Sequence, residues 1–162
     1  MSDHPHSPTP TRRATAGVRT LLLLASGLAV GVGTSLGQTT LDGVLSAFVN
    51  SASAWLVAPF LVGSRMTSDR RAAAAGLAVC ALQLVGYSVT SELRGFSSGG
   101  AIVVFWSMCA IVGGPVFGLA GRLWRTRMDG LRGLGAAVLA AAFLAEGTWV
   151  YVHELAYYET AA

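Results

Sequence analysis

The chain contains no lysine; all of its basic charge is arginine. Charge of either sign is sparse. Only 12% of the residues are Asp, Glu, Lys or Arg, where a soluble domain averages about 25%. So few charges cannot solvate a globule of 162 residues. Cysteine is scarce as well. Cys80 and Cys109 both fall inside apolar runs, where a free thiol packs as a small hydrophobe. This excludes a disulfide framework and a thiolate metal site. Catalytic signatures are missing too. There is no His-x-x-x-His pair, no Gly-x-Ser-x-Gly elbow and no close pair of aspartates, so neither an enzyme nor a cofactor or metal is expected. No internal repeat is visible, which leaves an inverted-repeat transporter unsupported. No run alternates with period two, and lipid admits only helices or closed barrels.

What remains is apolar: 53% of the residues are hydrophobic and the mean hydropathy is +0.58. A membrane-crossing helix needs about 20 mostly apolar residues. Five runs meet that length, at about 18–36, 43–63, 72–91, 101–121 and 133–153. The expected fold is all-α, a polytopic integral membrane bundle of five transmembrane helices. Residues 1–16 are rich in proline, serine and threonine and read as a disordered cytoplasmic tail. Residues 17–158 then form one transmembrane domain, because short loops force antiparallel neighbours.

Arginine placement orients the bundle. Arg12, Arg13 and Arg19 precede the first run, Arg65, Arg70 and Arg71 follow the second, and Arg122, Arg125, Arg127 and Arg132 follow the fourth. Only Arg94 lies in the opposite set of loops. The positive-inside rule gives a cytoplasmic N-terminus and an external C-terminus in the cell (plasma) membrane. The pI near 9.3 therefore reflects topology signals rather than affinity for nucleic acid. The bilayer is the expected partner, and five helices leave an odd face that a homodimer or another membrane protein would cover.

Local features refine the picture. Asp42 is placed to cap the second helix. Pro59 and Pro115 should kink the helices that carry them. The first helix has two stripes of small residues, Ala25, Ala29 and Gly33 on one and Gly27, Gly31 and Ser35 on the other. Both allow close approach of a neighbouring helix or a docking partner. Gly114 and Gly118 do the same in the fourth helix.

Polar groups within the runs are the candidate functional residues. Glu146 lies about seven residues inside the fifth helix, roughly 10 Å deep. A carboxylate there is costly unless it is paired, and is a functional candidate by default. Gln83, Tyr87, Thr90 and Arg94 share one face of the third helix. Asn50, Trp106 and Trp149 fall at similar depth. All lie in the outer half of the bilayer, and polar groups converging with aromatic walls suit a small-molecule pocket. The expected ligand-lining set is Glu146, Gln83, Asn50, Trp106, Tyr87, Arg94 and Trp149, with Arg94 the natural counter-charge for Glu146.

Ser-Leu-Gly-Gln at 35–38, Asn50-Ser51 followed by Trp55, Gly-Gly-Pro-Val-Phe-Gly at 113–118 and Ala-Glu-Gly at 145–147 resemble a family of small multi-span membrane proteins from actinobacteria. That family is functionally uncharacterised, so the resemblance implies a shared arrangement and no activity. The architecture also looks like the substrate-binding subunit of vitamin-type energy-coupling transporters, with the departure that those have six helices. Two functions follow as expectations. One is a small-solute-binding membrane protein with an outward-facing pocket. The alternative is a structural or regulatory membrane protein with no ligand, its polar layer clamping helices together.

Overall fold

The computed structural model describes residues 10–96, 99–126 and 130–154. All the described elements are helices: α1 (Pro10–Thr40), α2 (Gly43–Val49), α3 (Ala52–Gly63), α4 (Asp69–Leu93), α5 (Gly100–Thr126) and α6 (Gly130–Ala145). A π-helical segment, Glu146–Glu154, continues α6. No strand occurs among the described residues. Four helical stretches are long and apolar enough to cross a membrane. A fifth is obtained if α2 and α3 are taken as one bent span. Such helices suggest a membrane protein.

Two expectations about helix ends change. α1 begins at Pro10, so residues 10–16 are helical where a disordered tail was expected. Proline is suited to a first helical position because its missing N–H would have no partner there. The rest of that tail, with His4 and His6, lies outside the described residues. Asp42 precedes α2 but makes no capping hydrogen bond through its side chain. The chain turns into α2 through Gly43, at φ +61°, a left-handed conformation that glycine adopts without a Cβ penalty. The opposite end of α4 is built by the same chemistry. Gly95 has φ +81°, its amide donates to the Glu92 carbonyl at 2.9 Å, and the Phe96 amide donates to Ser91 at 2.9 Å. That pair of bonds closes the helix as a Schellman motif.

The expected second span, 43–63, is not one helix. It breaks at Asn50–Ser51, and α2 and α3 meet at 56°. Pro59 was expected to supply the kink, yet α3 runs through it. The break belongs to the polar run Asn50-Ser51-Ala52-Ser53. Asn and Ser side chains bond the nearby backbone and compete with helix continuation. Asn50 Nδ2 donates to the Ser46 carbonyl at 2.8 Å. Ser51 caps α3 by accepting from the Ala54 amide at 3.2 Å.

α4 is central, packed against α1, α3 and α5. Backbones approach closely at small residues. Gly27 and Gly31 of α1 lie against Val79 and Gln83 of α4, and Gly114 and Gly118 of α5 lie against Ala72, Gly76 and Leu77. On α1 the Gly27, Gly31, Ser35 stripe is the one used. Ala25, Ala29 and Gly33 face outward and are exposed. Val62, Ala75 and Val79 form the buried apolar cluster, with Leu23, Leu24, Ala58 and Met66 against it. At that end of the bundle Arg122 pairs with Asp69 at 2.5 Å and donates to the Met66 carbonyl at 2.8 Å, tying the α5 terminus to the α3–α4 turn.

Candidate functional site

Proline at position 59 has no amide hydrogen, so the carbonyl of Trp55, four residues earlier, loses its helical donor. Gln83 of α4 supplies the replacement. Its Nε2 donates to the Trp55 carbonyl at 3.0 Å. Gln83 is fully buried, and its Oε1 has no hydrogen-bond partner among the described residues. On its main-chain side, Gly31 lets α1 lie directly on Gln83.

The helix break creates a second demand. The first amides of any helix lack intrahelical acceptors. Glu146 serves α3. The Ala52 amide donates to Glu146 Oε1 at 2.7 Å. The Ser53 amide and the Ser51 hydroxyl both donate to Oε2, each at 2.7 Å. With Ser51 accepting from Ala54, the α3 amides at 52, 53 and 54 are all satisfied. The positive end of the helix dipole adds to the fit for a carboxylate. Ser53 Oγ donates to the Ala142 carbonyl at 2.9 Å, a second tie between α3 and α6. Glu146 projects from the point where α6 widens into the π-helical segment.

A separate chain of bonds joins the other helices at the Arg94 end. Tyr87 Oη donates to Gln38 Oε1 at 2.9 Å, and Gln38 Nε2 donates to Asn50 Oδ1 at 2.9 Å. The Ser35 and Ser91 hydroxyls share a bond of 2.8 Å. Arg94 donates to the Ser35 carbonyl and the Thr39 hydroxyl, with its guanidinium 5.3 Å from the Phe96 ring centre. Arg94 is thus committed to α1, and Glu146 takes its donors from α3. The expected Arg94–Glu146 pairing does not form, since each group meets nearer partners on another helix.

The seven expected lining residues therefore divide. Glu146 stands at the α3 start, Gln83 inside the bundle against Trp55, and Tyr87 and Asn50 in the Gln38 chain beside Arg94. Trp106 is 42% exposed and Trp149 63% exposed; both lie on the outer surface of their helices, Trp106 edge-on to Phe105 at 5.2 Å. They do not wall a common cavity with the others. A cleft of about 250 Å³ adjoins Glu146, lined by Val44, Ala47, Phe48, Ser51, Phe143 and Gly147. It falls below the roughly 300–1,000 Å³ of small-molecule sites. The larger cleft, about 640 Å³, is apolar and lies between α1 and α3. No group of three or more His, Cys, Asp or Glu gathers among the described residues.

Ser51 enters the sequence reading only within the Asn50-Ser51 motif and Ser53 carries no expected role there, yet with Glu146 and the Ala52 amide they make four hydrogen bonds between the α6 end and the start of α3. Their signal was present: two serines flanking an alanine, after an asparagine, in the middle of an apolar run. Ser51 at a helix start is a preferred N-cap.

Neither a curated protein nor a solved structure matches the chain. The model of a family of unknown function, DUF6518, matches residues 10–161. With nearly the whole helical bundle inside that match, the chain belongs to the DUF6518 family.

Proposed function

We propose that this protein crosses the plasma membrane five times, with the arginine-rich end of the bundle in the cytoplasm, and that it acts as a structural or regulatory membrane element rather than as an enzyme or a solute carrier. One observation carries this reading: the Glu146 carboxylate accepts three hydrogen bonds from the start of α3, from the Ser51 hydroxyl and the Ala52 and Ser53 amides. The acidic group that would otherwise be the best ligand for a solute is already the cap of a broken helix. Gln83, Tyr87, Asn50 and Arg94 support the same reading, since each bonds the backbone or a side chain of a neighbouring helix. A polar layer used in this way holds two half-helices and three whole ones in a fixed arrangement.

The test is native mass spectrometry of the protein extracted gently from its own membrane, combined with thermal denaturation in detergent. Glu146→Gln is expected to lower the melting temperature and to leave the set of bound species unchanged. A bound polar small molecule that is present in the parent and lost in Glu146→Gln would overturn the reading in favour of solute binding.

A further inference from the structure

From the groove between α1 and α3 we infer that the protein holds one acyl chain of an anionic phospholipid, with the lipid phosphate at Arg65. This rests on the membrane-spanning reading above. The groove has a volume of about 640 Å³, and its walls include Val30 and Gly33 of α1 and Trp55, Ala58 and Leu61 of α3. The one hydroxyl midway along the α1 wall, Ser26, is turned back onto its own helix, donating to the Leu23 carbonyl at 2.6 Å. The surface offered is thus nearly all hydrocarbon.

Dimensions and charge select the occupant. The α1 wall runs from Leu23 to Thr34, a rise of about 16 Å. That is close to one leaflet of a hydrocarbon core about 30 Å thick. Phe48 closes one end, and exposed Arg65 stands at the other, on the side of the bundle where Arg71, Arg122 and Arg125 also lie. Arg71 donates to Thr67 and Arg122 to Asp69 and Met66, while Arg65 is the arginine in the groove's own lining. Leu23 and Ala58, one from each wall, pack on the same Val62, Ala75 and Val79 cluster. The walls therefore meet at their base. An arginine at the headgroup level and an apolar slot one leaflet deep together fit a lipid with a negatively charged phosphate.

Trp55 reports on the groove directly. The full chain carrying Trp106→Phe, Trp124→Phe and Trp149→Phe keeps Trp55 as its single tryptophan. It is placed in phosphatidylcholine nanodiscs containing a few mole per cent of lipid brominated along its acyl chains. Brominated phosphatidylglycerol should quench Trp55 far more than the same fraction of brominated phosphatidylcholine. Arg65→Gln should weaken that preference about fivefold, as expected for one arginine near an anionic headgroup. Gly33→Leu should abolish the excess quenching, because a Cβ at position 33 meets nothing within 4 Å and the rest of the leucine would occupy the groove that Gly33 lines. Equal quenching by the two lipids in the parent would overturn the inference. So would unchanged quenching in Gly33→Leu, or absent quenching accompanied by a dimer in the nanodisc, which would make a second copy the occupant. Flotation with liposomes separates the two claims. A chain that does not float fails the membrane reading itself; one that floats but shows no lipid preference fails only the lipid site.

Discussion

Gln83 of α4 does for Trp55 of α3 what the missing amide of Pro59 cannot: it donates to the Trp55 carbonyl. A buried carbonyl without a donor costs about 1–3 kcal/mol. Gln83→Leu is therefore expected to destabilise the bundle, by about 1 kcal/mol after allowing for loss of the unpaired Oε1. The dependence on Pro59 is the sharper test. In a Pro59→Ala background the helix amide serves Trp55 itself, and Gln83→Leu should then cost measurably less. A double-mutant cycle in detergent unfolding should show a coupling of about 0.5 kcal/mol or more. Strict additivity would mean that the Gln83–Trp55 bond does not compensate for the proline.

The Glu146 cap makes a local prediction of the same kind. Glu146→Ala leaves the amides of Ala52 and Ser53 without acceptors, and a loss of about 1–3 kcal/mol is expected. Hydrogen exchange should quicken at residues 51–54 and change little in α5, which these bonds do not touch. Ser53→Ala removes the hydroxyl that bonds Ala142 and also lies against the Glu146 carboxylate, and keeps both backbone donations to Glu146. A loss near the 0.6 kcal/mol average for polar contacts between membrane helices is expected. Equal losses in the two variants would place the effect in α6 packing rather than in the cap.

These two sites show where the sequence could be read and where it could not. Hydropathy located each apolar stretch because a membrane-crossing helix leaves a long, simple signal. Glu146 stood out because an acidic group inside such a stretch is expensive. Its partners did not, since a window of about 20 residues averages Ser51 and Ser53 into their apolar surroundings and conceals the break. The pairing of Gln83 with Pro59 could not be seen either. The proline shows that a carbonyl four residues back has been freed, but which of several polar side chains reaches it depends on how α4 lies against α3. The two α1 stripes looked equivalent for the same reason. Periodicity sets the face on which a residue lies, and packing alone decides which face is covered.

Arginine placement makes a prediction about orientation. With the arginine-rich end in the cytoplasm, a reporter inserted at 97–98 should be external and one at 127–129 cytoplasmic. Replacing Arg122, Arg125, Arg127 and Arg132 together by glutamine removes four of the eleven basic residues and should yield molecules of mixed orientation, readable by labelling single cysteines from outside the cell. A cytoplasmic reporter at 97–98 in the parent would refute the orientation proposed above.

Gly31 and Gly33 sit two positions apart on α1 and should respond in opposite ways. A Cβ on Gly31 would collide with the Gln83 carbonyl oxygen and come within 2.8 Å of the Tyr87 amide nitrogen. Both are backbone atoms of a central helix and cannot move aside like the end of a side chain. Gly31→Ala should push α1 from α4 and cost about 1–3 kcal/mol. A Cβ on Gly33 would meet nothing within 4 Å, so Gly33→Ala should stay within about 0.5 kcal/mol of the parent. It could even gain slightly, because alanine is the better helix former. Thermal unfolding of the two variants side by side distinguishes the stripe that α4 covers from the stripe that lines the groove. Comparable destabilisation by both would mean that another surface covers Gly33 in the membrane.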